Sequence, residues 1–139
     1  MTGVDPFCAE SRVARLATVD ESGSPHVVPV CYATNGHAYY SPLDAKPKTS
    51  PVTRLRRVRN IRANPHVALL IDHYEEDWAR LRFVMVQGRA ELLDGGTEWK
   101  TARTLLEAKY PQYRTLPLPP EAPVIKIVPD HVVRWSPGP

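Results

Sequence analysis

Alternation of apolar and polar positions predicts most of the elements in this chain. Residues 12–19, RVARLATV, read as a half-buried strand closed by the turn cluster Asp20-Glu21-Ser22-Gly23-Ser24. Residues 25–32, PHVVPVCY, form a second strand rich in β-branched side chains, and the loop between the two suits a hairpin. Pro29 has no N–H to give to a ladder, so this strand belongs at a sheet edge or a bulge, where it leaves backbone groups open to a planar ligand. Asn35-Gly36 predicts a two-residue turn into a third strand over residues 37–41, HAYYS. A short helix is expected over residues 7–11.

The period then changes. Val52, Leu55, Val58 and Ile61 recur every three residues, which predicts a helix capped by Ser50, with Pro51 in its first turn and Asn64-Pro65 at its end. Residues 66–74, HVALLIDHY, are almost continuously apolar, as for a central strand covered on both faces. An acidic loop carrying Trp78 leads to a long strand over residues 81–93, in which Gly88 marks a bulge or a close backbone approach. Asp94-Gly95-Gly96 turns the chain into a helix over residues 97–109, with Ala102, Leu105, Leu106 and Ala108 toward the core. A proline-rich stretch follows, and two closing strands, 124–128 and 131–135, are expected on either side of Pro129-Asp130. Six or seven strands in hairpin order with two inserted helices make a mainly β, α+β fold: one domain over residues 1–139, an antiparallel barrel with flanking helices, since closure removes exposed edges.

Charge adds a local feature. The chain has 18 Lys and Arg against 15 Asp and Glu. Seven of the cations, Lys46, Lys48, Arg54, Arg56, Arg57, Arg59 and Arg62, fall within residues 46–62, and no acid occurs from Ala45 through Ile71. The 11 cations elsewhere face 15 acids, so the basic excess belongs to this one segment and suggests a compact polyanion such as a cofactor phosphate. Few aromatics, no zinc spacing and no glycine-rich RNA signature accompany it, which argues against nucleic acid. No apolar run approaches the ~18 residues of a membrane span and no leader pattern opens the chain, so a cytoplasmic protein is expected. Cys8 and Cys31 lack metal-ligand spacing and read as reduced thiols. The five histidines are scattered, and Asp72 and His73, adjacent on a strand, point to opposite faces, so no metal site is expected. Neither a nucleophile elbow nor a Gly-x-Gly-x-x-Gly loop is present, which leaves hydrolase and Rossmann readings without support.

The succession RVARLATVDESGSPHVVPVCYA, YYSPLDAKPK, RLRRVRNIRANPHVALLIDHY and FVMVQGRAELL resembles the flavin-binding split β-barrel superfamily of pyridoxamine 5′-phosphate oxidase. It is most similar to the actinobacterial branch of F420-dependent, oxidase-like proteins, and the likeness covers roughly residues 10–135. The resemblance implies a homodimer holding coenzyme F420, or alternatively FMN, in a cleft between subunits. Mapped onto this sequence, the cofactor phosphate falls to Lys46 and Lys48 with Thr49 beside them, and Arg54 extends the positive surface. Val28, Pro29 and Val30 line the ring, Ser41 and Pro42 meet the ribityl chain, Gln87 faces a ring carbonyl, and Trp78 and Arg80 reach toward the partner's cofactor. The pattern lacks the long N-terminal extension and the Arg-rich C-terminal end of the oxidase proper, which argues against vitamin B6 oxidation. F420 carries more negative charge than FMN and suits the cation run better. The implied activity is hydride transfer from reduced F420 to an electron-poor small molecule, with an FMN-dependent oxidoreductase or a non-catalytic carrier as alternatives. No side chain is singled out as catalytic, because the cofactor carries the chemistry; Tyr40 and Tyr74 are side chains able to supply a proton.

Overall fold

A computed structural model describes residues 4–43 and 55–138. Seven strands form one antiparallel sheet: β1 (Ala14–Val19), β2 (Pro25–Val30), β3 (Ala33–Thr34), β4 (Tyr39–Pro42), β5 (His66–His73), β6 (Arg82–Leu93) and β7 (Val124–Trp135). Their spatial order is β2-β1-β5-β6-β7-β4-β3. The two edge strands, β2 and β3, are consecutive in the chain and separated only by Cys31 and Tyr32. Six gaps of about 4.8 Å would put the edges of a flat sheet roughly 29 Å apart. The three Cα steps from Val30 to Ala33 reach about 11 Å at most. The sheet therefore rolls until its edges meet, and residues 31–32 are the seam of the resulting split barrel.

Two expectations about connectivity are corrected here. The Asn35-Gly36 turn does not join the second strand to its neighbour; it joins the two-residue β3 to β4, at the sheet edge opposite β2. The loop is also longer than two residues, because Asn35 Oδ1 accepts from the N–H groups of both His37 (2.8 Å) and Ala38 (2.9 Å), holding four residues in the turn, with Gly36 at φ 91°. The two closing strands are in fact one: β7 runs unbroken past Pro129, and Asp130 is the extra residue between the pairs Gly88–Pro129 and Gln87–His131. Gly88 sits at this bulge as expected. A Cβ there would lie 2.1 Å from the Val128 carbonyl oxygen, so only hydrogen fits.

Helix α1 (Pro6–Glu10) is N-capped by Asp5. Helix α2 (Arg56–Ala63) starts later than expected, since Leu55 is extended; Ser50 and Pro51 lie outside the described residues. Val58 and Ile61 carry its apolar face into the barrel, and buried Asn60 donates to Thr18 Oγ1 at 2.9 Å, tying the helix to β1. Helix α3 (Gly96–Lys109) packs Ala102 and Leu106 against Tyr40, Tyr110, Leu118 and Val124, while Ala108, expected in the core, is exposed. The barrel interior holds Leu16, Leu43, Leu69, Ile71, Val84, Val86 and Ile127. Central strand β5 is not covered on both faces in the single chain: Val67, Leu69 and Ile71 are buried, whereas Ala68 and Leu70 on its outer face are partly open. Across the outer face Leu70 lies beside Met85, which lies beside Val133. Among the described residues no helix is long and apolar enough to cross a membrane.

Candidate functional site

The seam brings together residues from four separate stretches of chain. Pro29 and Val30 from the end of β2, Cys31, Pro42 from the end of β4, Arg57 of α2 and Tyr113 line a cavity of about 190 Å³. β2 is an edge strand, so Pro29 stands where its missing N–H breaks no ladder, and it is exposed while Val30 turns inward. Ser41, predicted beside Pro42, is buried, and its hydroxyl donates to the Cys31 carbonyl at 2.9 Å, which locks β4 onto the seam. Val28 points inward against the core.

Tyr110, at the C-terminal end of α3, fastens this junction. Its hydroxyl accepts from the Tyr32 N–H at 3.0 Å, and the carbonyls of Tyr32 and Arg12 each lie 2.9 Å away to receive its proton. The Tyr32 hydroxyl donates to the Cys8 carbonyl and ties α1 to the same point. Burial pushes the Tyr110 phenol up to about 12, so the hydroxyl stays protonated at neutral pH. Lys109 lies over the Tyr32 ring, its ammonium 3.8 Å from the centroid, and the Arg12 guanidinium stacks on Tyr110 at 4.7 Å. Burial, with the nearby Arg12 charge, lowers the Lys109 ammonium to about 8. Nothing in the pattern of residues marks Cys31, Lys109, Tyr110 or Tyr113 as neighbours.

The remaining predicted positions lie elsewhere. Lys46, Lys48, Thr49 and Arg54 fall outside the described residues; Leu43 and Leu55, on either side of that segment, both pack against the barrel core. Gln87 is exposed on the outer face of β6, opposite Ala68 on one side and His131 on the other. Trp78 projects from the β5–β6 connection, 67% exposed, with its indole N–H 3.4 Å from the Tyr74 hydroxyl. Arg80 pairs through Nε with Glu75 at 2.6 Å, and the other Glu75 oxygen meets His73 at 2.8 Å; His73 and Arg80 hold that carboxyl below its ordinary range. Arg80 lines a different cavity, with Phe7, Ser11, His73 and Arg82, that shares no residue with the seam. The Tyr40 hydroxyl is engaged by Glu98 Oε2 at 2.7 Å; burial, then that carboxylate, raises it to about 12, so it is a poor proton donor.

A rolled antiparallel sheet whose two edges meet at a seam has the architecture of a split β-barrel. The family model for pyridoxamine 5′-phosphate oxidase matches residues 3–136, and the chain belongs to that family. Among solved structures it is similar to a conserved hypothetical protein of Mycobacterium tuberculosis, with a TM-score of 0.75 and 20% identity over 94% of this chain and 80% of that one. It is also similar to a putative pyridoxamine 5′-phosphate oxidase of Listeria innocua, at 0.69 and 22% over 93% and 92%. HutZ, the heme storage protein of Vibrio cholerae, matches at 0.73 and 17% over 97% and 95%. At these identities the likeness is one of fold. No curated protein matches the chain.

Proposed function

We propose that the protein is an oxidoreductase that holds a deazaflavin, coenzyme F420, at the seam of a homodimer. The observation that carries this reading is the convergence of Pro29, Val30 and Pro42 on one cavity beside the Arg57 guanidinium, at the point where the most basic stretch of the chain begins. A cavity of about 190 Å³ falls below the ~300 Å³ at which cofactor pockets usually start, so a tricyclic ring fits only if a second surface completes the wall. A second copy of the chain is the natural source. The outer face of the sheet exposes Val27 (59%) and Trp135 (44%), with Leu70, Met85, Phe83 and Val133 half-buried between them, an apolar area suited to a partner.

In this reading the open edge of β2 meets the polar edge of the ring, and Lys46 and Lys48, with the Thr49 hydroxyl, grip the phosphate. Arg54 and the outward arginines of α2 draw the more highly charged tail of F420 over the single phosphate of FMN. Reduced F420 supplies a hydride; the chain's part is to orient the ring and exclude water. Fluorescence titration with F420 and with FMN tests the preference. The Lys46→Ala/Lys48→Ala double variant should weaken the preferred cofactor by roughly 2–4 kcal/mol. Equal binding by variant and wild type removes the assignment. Fold similarity to a heme storage protein favours one second reading, a carrier without turnover; oxidation of bound F420H2 that does not accelerate with any added acceptor supports it.

A further inference from the structure

The proline-rich connection from α3 to β7 shows its apolar side chains to solvent in a regular order. Prolines stand at 117, 119 and 120, and each fixes its own φ and holds the residue before it extended. Residues 116–120, Leu-Pro-Leu-Pro-Pro, are thereby confined to the polyproline II region, which repeats every three residues. Exposure follows that period. Leu116 is 74% exposed, the most of any large hydrophobic side chain among the described residues, and Pro117, Pro119 and Pro120 are exposed as well. Leu118 between them is buried in the cluster of Leu106 and Tyr110. One edge of the segment is thus fastened to the barrel, and the two steps Leu116-Pro117 and Pro119-Pro120 face outward. Hydrogen bonds fix both ends: the Leu116 N–H donates to the Gln112 carbonyl at 2.9 Å and the Ala122 N–H to the Pro119 carbonyl at 3.1 Å. Arg103, stacked on Trp99, donates to the Leu118 and Ala122 carbonyls at 3.4 and 3.3 Å. Arg114, just upstream, is exposed and takes part in no ion pair among the described residues.

We infer that residues 114–120 are a docking segment for a protein domain whose groove is lined by aromatic rings and carries an acid at one end. Aromatic-lined grooves take polyproline II chains by seating successive X-Pro steps between their rings. Leu116-Pro117 and Pro119-Pro120 fill two neighbouring slots, Leu118 stays turned toward its own barrel, and Arg114 meets the acid. A cation at one end only sets the direction in which the chain lies in the groove. Because the barrel already holds the segment in its docked form, little ordering is lost on association, which lets a small surface bind specifically. None of residues 114–120 lines the seam cavity, so docking leaves the proposed cofactor site open and is independent of it.

An SH3 domain that selects Arg-x-x-Pro-x-x-Pro ligands is the probe, titrated into the isotope-labelled full chain and followed by NMR. Saturable shifts confined to residues 114–120 and their immediate neighbours are expected. Leu116→Ala, Pro117→Ala and Pro120→Ala should each weaken binding at least about tenfold, and Arg114→Glu should do the same and abolish the salt dependence. All four positions are exposed, and the spectrum outside the segment reports that the barrel of each variant stays folded. Pro111→Ala, at an exposed proline outside the segment, should keep the wild-type affinity. No saturable binding by wild type, shifts centred elsewhere on the barrel, or equal affinity for wild type and Pro117→Ala overturns the docking segment. Equal affinity for wild type and Arg114→Glu overturns the acidic end of the groove. The titration uses no cofactor, so failure of the protein to bind F420 or FMN counts against the proposed function alone.

Discussion

Tyr110 and Gly88 show how much of this molecule depends on single positions. The Tyr110 hydroxyl satisfies backbone groups of both Tyr32 and Arg12, 78 and 98 residues away in sequence, so Tyr110→Phe leaves buried polar groups at the seam without partners. A loss of about 2–3 kcal/mol is expected in urea unfolding, with the seam cavity perturbed before the rest of the sheet. Gly88→Ala has nowhere to put its methyl except into the Val128 carbonyl, and should cost about 2 kcal/mol or more by the same assay. Lys109 acts in the opposite sense. Its folded pKa, about 8, lies below the ordinary 10.5, so between these values the unfolded chain binds the extra proton and stability rises with pH. Tyr32, Tyr39 and Tyr110, all raised by burial, reverse the trend above pH 10, where unfolded phenols ionise first. The urea midpoint of wild type should therefore climb from pH 8 toward 10 relative to Lys109→Met; parallel profiles contradict the buried ammonium.

At the scale of elements, packing decides what periodicity does not. Leu106→Ala should remove about 2–5 kcal/mol, because α3 joins the barrel through Leu106 and Ala102 alone among its fully buried side chains. Patterning made β1, β2, β5, β6 and α3 legible, since each alternates or recurs over a long run, and Gly88 announced its bulge because a missing side chain inside a strand has few other uses. Three features were hidden for physical reasons. The continuity of β7 depends on β6 accepting Asp130 as an extra residue, which no local signal near Pro129 encodes. The four-residue loop at Asn35 depends on one side-chain oxygen capturing two N–H groups. The late start of α2 depends on the backbone of Leu55, whose apolar spacing reads as helical although its conformation is extended. The site divides in the same way. Of the residues that line the seam cavity, Pro29, Val30 and Pro42 were singled out through the family resemblance, whereas Cys31 and Tyr113 join them only because the sheet closes on itself.

For the whole molecule, closure and charge act together. Rolling the sheet joins β2 to β3 within two residues and turns an otherwise aggregation-prone edge into a cavity. The apolar outer face formed by Leu70, Met85, Val133 and Trp135 is the surface through which a second copy completes that cavity in the proposed function. Met85→Lys should then halve the mass measured by light scattering and weaken F420 binding in parallel; a mass that is monomeric in wild type, or unchanged in the variant, counts against the partner. The most direct measurement is a crystal structure of the protein grown with F420. The account predicts electron density for the ring against Pro29 and Val30, its phosphate at Lys46 and Lys48, and the second wall supplied by another copy of the chain. Density elsewhere on the barrel, or a cofactor bound wholly within one chain, contradicts it.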